Sequence, residues 1–459
     1  MVTSTVKFRL VIAFTIVMLL SSSICSSPIT VMAKSTSGNT TSALENKSAL
    51  KKRTVVYVSQ FIKGNFDVFY KDSTKQLQKK ITIDILKQGW DAIVSMTGKP
   101  GKSISCTYTQ QNGLHVVTDK IECTLYNINV TISYNAMGKP DGIWTNFVPK
   151  DPPTPQTSDR WEEFQVTVGE KKLPGMLTLP KDMQNPPVLI MIQGSGASDM
   201  NESVGTTPNR PFEDIAHGLA EQGVATLRYN KRTYQYPADG GDTIEYELLD
   251  DAAAAVKMLC NDRRIDPNRI YLLGHSLGGM FAPKITSDNP QIKGFISMAG
   301  SLRPLHDIIL DQSKAALDAE PSLTEQQKND LLAQFEAEVT KITSLDDVGT
   351  NFIMGMPTNY WKSISSIDNL ALVKNLKVPM LILQGSADFQ VYPDKDYKLW
   401  ETTLKDHTNI TYHLYDGLSH EFMPNQISKN GAPDISAYNA PNHVDSQVIT
   451  DIAEGINGL

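Results

Sequence analysis

Cysteine is scarce in this sequence. Only 4 of the 459 residues are cysteine, and Cys106, Cys123 and Cys260 are the three that lie outside the N-terminal segment discussed below. An odd and sparse set of thiols argues against a disulfide scaffold and indicates a chain that folds on its hydrophobic core. A Cys106–Cys123 bridge stays open as an alternative. Glycine and proline, at 29 and 25 residues, are close to average usage, which excludes a collagen-like or low-complexity chain.

The sequence also lacks a strong charge of one sign. Its 43 Lys and Arg against 50 Asp and Glu give a formal net charge of −7. Such a balance provides no broad basic surface, so we expect no nucleic-acid partner.

Nucleotide and metal motifs are missing as well. The chain contains neither a Gly-x-x-x-x-Gly-Lys-Ser/Thr loop nor a His-Glu-x-x-His helix. Gly194-Ser195-Gly196 resembles the start of a dinucleotide fingerprint, but Asp199 stands where the third glycine belongs. We therefore expect no cofactor and no metal.

Residues 1–33 have the pattern of a secretory signal peptide. Lys7 and Arg9 precede an apolar run at 10–20, and Val31-Met32-Ala33 provides a small-residue cleavage site. The run is well short of the roughly 20 residues of a spanning helix, so no stable membrane span is expected after cleavage. The sequence predicts a secreted protein, and an uncleaved N-terminal anchor is the alternative.

The rest of the chain divides into four regions. Residues 34–53 are polar and predict a flexible leader. Residues 54–148 show helical periodicity and then period-two strands, which is typical of a small α+β domain. The prolines of residues 149–159 indicate a stiff linker before the larger domain, residues 160–459.

Eight apolar runs alternate with helical patterns in the larger domain, which predicts an α/β fold with a mostly parallel sheet covered on both faces. The runs are Phe164–Val168, Met176–Leu179, Val188–Ile192, Val224–Tyr229, Ile270–Leu273, Phe295–Met298, Val378–Leu383 and Ile410–Tyr415. An amphipathic helical insertion at about 302–366, with a capping box predicted at Ser322 and Glu325, interrupts this rhythm. It is either a cap over a site or a surface helix pair.

A nucleophile elbow is predicted at Gly274-His275-Ser276-Leu277-Gly278-Gly279, between an apolar strand and a helical run. In such an elbow the serine occupies a strained turn, and the glycines let the strand and the helix pass closely. Ser276 is therefore the candidate nucleophile. The N–H of Leu277, at the start of the helix, is a candidate oxyanion donor.

A serine nucleophile needs a base and an acid that orients the base. Asp388 follows the strand Val378–Leu383, and His420 follows the strand Ile410–Tyr415. We expect these two residues to complete a catalytic triad with Ser276. The residues that compete with Asp388 and His420 for these roles have weaker sequence patterns, and they are Asp394, Asp396, Asp416, His275, His306 and His413. Of these, His275 is interpreted mainly as a space-filling residue.

A second oxyanion donor is expected from the loop after the third strand. There the Ser195 amide is the first choice and Gly196 its neighbour, with a plain turn as the alternative.

These motifs together resemble the α/β-hydrolase fold. More narrowly, Ile192–Gly196, Leu227–Arg232 and Ala299–Pro304 are similar to segments of a bacterial group of exported, esterase-like α/β-hydrolases. Residues 54–148 resemble the extra N-terminal domain of that group, whose shape is cystatin-like or NTF2-like. Two departures stand out: Gln193 replaces the histidine of many relatives, and Asn230-Lys-Arg-Thr233 replaces Asp-Lys-Arg-Gly.

The resemblance and the motifs imply a secreted serine hydrolase that cleaves small carboxylic esters through an acyl-enzyme. A serine peptidase of the prolyl-oligopeptidase type is the first alternative. A binding protein with a vestigial triad is the second. The natural ester, its acyl length and the oligomeric state stay open at this point.

Overall fold

The computed structural model describes residues 47–111, 114–205, 207, 209–239, 241–345, 351–424 and 438–458. The predicted signal peptide and most of the predicted leader lie outside the described residues. The chain divides into two compact units between Asp151 and Pro152, and each is described by itself.

The first unit has helices followed by an antiparallel sheet. The helices are α1 (Lys47–Ile62), α2 (Asp67–Asp72), α3 (Lys75–Lys80) and α4 (Ile83–Thr97), and the strands are β1 (Pro100–Gln111), β2 (Leu114–Cys123), β3 (Asn127–Tyr134) and β4 (Pro140–Val148). The four strands pair in sequential order. Leu50, Tyr57 and Phe61 of α1 share one core with Val117 and Ile128 of the sheet.

The predicted leader is too long at its C-terminal end. Residues 47–53 belong to α1, not to a flexible segment. The reason is the spacing of Leu50, Thr54, Tyr57 and Phe61, which places these buried side chains on one face of a helix. Packing of that face in the core of the first unit stabilises the helix.

The three described cysteines are free thiols. Cys106 faces Asp119 across the β1–β2 ladder, and the partner of Cys123 in that ladder is Pro100. The alternative of a Cys106–Cys123 bridge is therefore not realised.

The second unit alternates strands and helices. Its strands are β5 (Trp161–Val168), β6 (Leu173–Pro180), β7 (Val188–Ile192), β8 (Ala225–Tyr229), β9 (Ile270–His275), β10 (Ile292–Met298), β11 (Phe352–Ile353), β12 (Met356–Pro357), β13 (Met380–Gly385) and β14 (Ile410–Tyr415). Its helices are α5 (Pro211–Glu221), α6 (Arg232–Gln235), α7 (Asp250–Leu259), α8 (Leu277–Asp288), α9 (Leu305–Asp318), α10 (Glu325–Thr343), α11 (Thr358–Ser365), α12 (Asn369–Asn375), α13 (Lys398–Thr403) and α14 (Ser446–Asn457), with π-helical turns Glu245–Leu249 and Pro393–Tyr397 before α7 and α13.

Eight of these strands form one sheet in the order β14-β13-β10-β9-β7-β8-β6-β5. β6 is antiparallel to both of its neighbours, β5 and β8. The other strands of the sheet run parallel to one another, and they are β8, β7, β9, β10, β13 and β14. This arrangement is the α/β-hydrolase fold, and it confirms the predicted fold class. The carboxyl ends of the parallel strands meet at one edge, where the site lies.

The central strands are buried on both faces, as their continuous apolar runs predict. In β7, Ile190 packs into one core with Leu272 of β9, while Leu189 packs into the opposite core with Leu273. Alternate residues of a strand point to opposite faces, so an all-apolar strand needs helices on both sides.

The predicted insertion contains the helices α9 to α11 and the short β11–β12 hairpin. The capping box of α10 is formed by Thr324 and Gln327, and not by Ser322 and Glu325 as predicted. The Thr324 hydroxyl accepts from the Gln327 N–H, while the Ser322 N–H donates to Glu320. None of the helices in the described residues is both long and apolar enough to cross a membrane.

Candidate active site

Ser276 lies at the turn between β9 and α8. Its backbone has φ 52° and ψ −114°, a conformation that is strained for a residue with a side chain. Its N–H donates to the Met298 carbonyl at 2.8 Å, and its carbonyl accepts from Met280 N–H at 2.9 Å. These bonds hold the turn from both sides, so the packed strands around it compensate for the backbone strain.

The glycines of the elbow are required by close backbone contacts. A Cβ on Gly274 would lie 2.2 Å from the Gly278 carbonyl oxygen, and a Cβ on Gly278 would lie 2.4 Å from the Ile192 carbonyl oxygen. Gly194 is also close to the elbow, since its Cβ would lie 3.1 Å from Ser276 Cβ. The elbow therefore approaches the loop after β7 without intervening side chains.

Asp388 and His420 are brought together at the same edge of the sheet. His420 Nδ1 lies 2.7 Å from Asp388 Oδ2, and both side chains are buried. Asp388 Oδ1 accepts from the Gln390 and Val391 N–H groups at 2.8 and 3.0 Å, and Oδ2 also accepts from Gln384 Nε2 at 2.8 Å. These donors fix the carboxylate, which in turn fixes the His420 ring with Nε2 as its unengaged nitrogen.

In the described part of the chain, no direct hydrogen bond joins the Ser276 hydroxyl to His420. Such contacts are often long in free enzymes and tighten when substrate binds. Ser276 shares a cavity of about 40 Å³ with the two predicted oxyanion donors, Ser195 and Leu277. The other residues that line it are Met280, Ser301, Leu305, Ile308, Ile309, Gln312, Gln390 and Val391.

The N–H groups around the elbow differ in what they bind. Leu277 is the first residue of α8, so its N–H has no partner within the helix. The Gly194 N–H donates to Glu202 Oε1 at 2.5 Å, and the Gly196 N–H donates to Glu247 Oε1 at 3.3 Å. Among the described residues the Ser195 N–H has no acceptor, which leaves it available where the neighbouring amides are not.

The competing candidates have other partners. Asp396 is buried and binds Ser301 and Arg303, and His413 lies 3.4 Å from Asp451. Asp416 accepts from Ser386 at 3.2 Å and Asp394 is exposed, while His306 lies edge-on to Trp361. Neither these residues nor Asp388 and His420 line the cavity at Ser276, so the hydrogen-bond partners are what distinguish the candidates.

His275 is not merely a space-filling residue, contrary to the sequence interpretation. Its Nε2 lies 3.0 Å from the His420 carbonyl oxygen, and its Nδ1 lies 3.1 Å from Glu202 Oε1. Burial opposes the charged form of His275, but the Glu202 and Glu421 carboxylates outweigh it and raise its pKa to about 10. Burial raises the pKa of Glu421, which lies in the same buried cluster.

The two departures from the bacterial group form their own hydrogen bonds. Gln193 Nε2 donates to the Tyr229 carbonyl at 2.5 Å. Asn230 Oδ1 accepts from the Met200 N–H at 2.8 Å. Both link the loop region after β7 to the end of β8, so the local turn is kept.

Three charged residues near the elbow were missed by the sequence analysis, namely Glu202, Lys231 and Glu247. Lys231 Nζ donates to the Gly194 carbonyl at 2.7 Å and to Glu247 Oε1 at 2.5 Å. In the sequence, Lys231 is part of the Leu227–Arg232 segment that carries the resemblance, but the segment does not indicate which residues Lys231 contacts. Within the described residues, no group of three His, Cys, Asp or Glu side chains could hold a metal ion.

Comparisons with known proteins give two matches in sequence. The family described as serine aminopeptidase, S33, matches residues 209–426. Esterase EstD of Thermotoga maritima is 28% identical over 409 residues, which are 88% of this chain and 95% of that protein.

Two solved structures are similar at lower identity. Est1E from Butyrivibrio proteoclasticus is 17% identical, with a TM-score of 0.39 over 64% of this chain and 96% of that chain. The Pyrococcus furiosus esterase Pf2001 is 14% identical, with a TM-score of 0.40 over 68% of this chain and 97% of that chain. The sheet topology and the Ser276 elbow are those of the α/β-hydrolase fold, and in sequence the chain is similar to the family described as serine aminopeptidase, S33, and to esterase EstD.

Proposed function

We propose that this protein is a serine carboxylesterase with Ser276 as nucleophile, His420 as base and Asp388 as the residue that orients the base. The observation that carries the proposal is the strained Ser276 turn, which opens on a cavity that Leu277 and Ser195 also line. The buried Asp388–His420 hydrogen bond supports the assignment of base and acid. The name of the homologue EstD supports an ester as substrate.

The reaction proceeds through an acyl-enzyme. His420 Nε2 takes the hydroxyl proton as Ser276 Oγ bonds to the ester carbonyl carbon, and the carbonyl oxygen becomes an oxyanion that accepts from Leu277 and Ser195 N–H. The intermediate collapses, and His420 gives the proton to the departing alkoxide. Water then attacks the acyl group with His420 as base, which releases the acid and restores Ser276. Asp388 keeps the proton on Nδ1 so that Nε2 can act as the base.

An aminopeptidase is the second candidate, because the matching family carries that description. Such an enzyme must bind the charged amino terminus of its substrate, and a buried ammonium needs an opposite charge. The side chains that line the cavity at Ser276 are hydroxyl, amide or apolar, and no carboxylate is among the described ones. This lining favours an uncharged ester.

The test compares Ser276→Ala with Ser287→Ala, an exposed serine on α8, the helix that follows Ser276. We expect Ser276→Ala to lose p-nitrophenyl acetate hydrolysis and fluorophosphonate labelling, and Ser287→Ala to keep both. Full activity in Ser276→Ala would overturn the proposal. Cleavage of aminoacyl p-nitroanilides but not esters would favour the aminopeptidase, and no labelling of the wild type would favour a binding protein.

We also propose that the protein is secreted and that its N-terminal unit has a cystatin-like or NTF2-like shape. The signal-peptide pattern of residues 1–33 supports export. The packing of α1 on a four-stranded antiparallel sheet supports the second proposal. N-terminal sequencing of protein from the medium tests export, with Lys34 expected as the first residue; an intact N-terminus on membrane-bound protein would indicate the anchored alternative.

A further inference from the structure

The loop Gly194–Gly196, which we name the oxyanion loop, is held by buried charged side chains. Glu202 Oε1 accepts from the Gly194 N–H, and Lys231 Nζ donates to the Gly194 carbonyl. Glu247 Oε1 accepts from the Gly196 N–H. The polar backbone groups on both sides of Ser195 are therefore fixed, although the triad chemistry uses none of these three side chains.

Lys231 has a direct geometric effect on Ser195. The Gly194 carbonyl and the Ser195 N–H belong to the same peptide group, which is planar and trans, so the C=O and the N–H point in opposite directions. Because the Lys231 ammonium holds the carbonyl oxygen at 2.7 Å, the Ser195 N–H must point away from Lys231. Ser195 itself is one of the residues that line the cavity of Ser276.

A flip of the Gly194–Ser195 peptide group would harm the binding of the oxyanion. Without Lys231, little would oppose such a flip. The glycines on both sides of Ser195 restrict the backbone little. A flipped peptide would present the Gly194 carbonyl oxygen, instead of an N–H, toward a developing oxyanion. A cation on the carbonyl also polarises the peptide and makes its N–H a stronger donor.

Lys231 is itself held by Glu247, and both side chains are buried, with 3% of each exposed. Tyr360 of α11 donates to the other oxygen of Glu247. A buried ion pair costs desolvation and is weak evidence for stability, so geometry is the better explanation for this one.

We propose that Lys231, supported by Glu247 and Glu202, is a positioning residue that orients and polarises the Ser195 N–H for the oxyanion. This inference rests on the proposed serine hydrolase function. It assigns no contact with substrate to Lys231. It predicts that the Lys231–Glu247 ion pair stabilises the transition state, which packing alone would not do.

The test is the double variant Lys231→Met, Glu247→Gln, which removes both buried charges and keeps their approximate shapes. The matched control is Arg232→Met, Asp251→Asn, because Arg232 and Asp251 form a neighbouring buried ion pair with hydrogen bonds of 2.6 and 2.7 Å and do not touch the oxyanion loop. Each variant is measured for Tm, for kcat and KM on p-nitrophenyl acetate, and for inhibition by a trifluoromethyl ketone that mimics the tetrahedral intermediate.

We expect the Lys231 and Glu247 double variant, once folded, to lose about 10²–10³ in kcat, as for the loss of one oxyanion donor. KM should change by only a few-fold, and the ketone should bind more weakly by a factor close to that in kcat. The control should lower Tm but keep kcat and ketone affinity. If the Lys231 and Glu247 variant does not fold, Tyr360→Phe is measured instead, because it loosens Glu247 alone. This variant should lose less kcat and less ketone affinity, again with little change in KM.

Wild-type kcat and ketone affinity in the folded double variant, or in Tyr360→Phe where the double variant does not fold, would overturn the positioning role. Equal losses in the two ion-pair variants would also overturn it, since they would indicate a general structural effect. Activity that survives Ser276→Ala would overturn the proposed function instead, so the two failures are distinguishable.

Discussion

His275 Nε2 lies 3.0 Å from the carbonyl oxygen of His420, which joins the residue before the elbow serine to the loop of the proposed base. The other ring nitrogen of His275 lies 3.1 Å from Glu202 Oε1. Nδ1 forms no hydrogen bond with the described residues, so its contact with Glu202 is an ion pair that exists when His275 is protonated. The His275 ring therefore contacts both loops that flank Ser276.

The charge on His275 predicts an alkaline loss of stability. The carboxylates of Glu202 and Glu421 overcome burial and raise the pKa of His275 to about 10, above the value of roughly 6.5 in an unfolded chain. A raised folded-state pKa stabilises the protein fully below about pH 6.5, and this contribution is lost as the pH rises to about 10. We expect the Tm difference between the wild type and His275→Gln to shrink over this range. A difference that stays constant from pH 6 to 10 would contradict the assignment of a charged His275.

Asp388→Asn tests the proposed role of the acid. The amide would favour the wrong tautomer of His420, whose Nδ1 lies 2.7 Å from Asp388 Oδ2. We expect kcat to fall by about 10⁴ with little change in Tm. Asp416→Asn is the control, because that exposed residue lies beyond the neighbouring strand, and its kcat should stay at the wild-type value. Comparable activity in both variants would remove Asp388 from the triad.

Gly274→Ala tests the close contact within the elbow. The added Cβ would lie 2.2 Å from the Gly278 carbonyl oxygen, so the strand and helix α8 must separate. We expect a clear loss of Tm and at least a 10²-fold loss of kcat/KM, since small misplacements of reacting groups are costly. In Gly455→Ala the new Cβ meets only the flexible Leu381 side chain at 3.2 Å, and thermal unfolding should show little change. An active, stable Gly274→Ala enzyme would show that the elbow is looser than described.

The cavity beside Ser276 predicts a short acyl group. Its volume is only about 40 Å³, and Leu305, Ile308 and Ile309 form an apolar part of its wall. We expect kcat/KM to be highest for acetyl and propionyl esters and to fall for longer chains. Ile308→Ala, in the cavity wall, should raise the butyrate-to-acetate ratio of kcat/KM by about 10-fold or more.

Ile364→Ala is the matched control for this substitution. Ile364 lies in the same core but does not line the cavity, so the loss of its side chain should lower Tm without changing the ratio. An equal change of the ratio in both variants, or a wild-type preference for octanoyl esters, would contradict the acyl assignment.

The sequence by itself determined the eight-stranded sheet and the elbow. Strand patterns and turn motifs are local, so the apolar runs at Val188–Ile192 and Ile410–Tyr415 could be recognised from neighbouring residues alone. The order of Ser276, Asp388 and His420, each beyond a different strand, placed them at one edge because parallel strands end together. The structure has Asp388 and His420 hydrogen-bonded there.

Only the tertiary structure decided what surrounds that edge. Lys231 meets Gly194 across 37 positions of the chain, Glu247 meets Gly196 across 51, and His275 meets the His420 carbonyl across 145. No periodicity or spacing encodes such pairs, because each depends on how separate strands and loops pack. The sequence therefore indicated which residues could react, while the folded chain decided which buried charges hold the backbone around them.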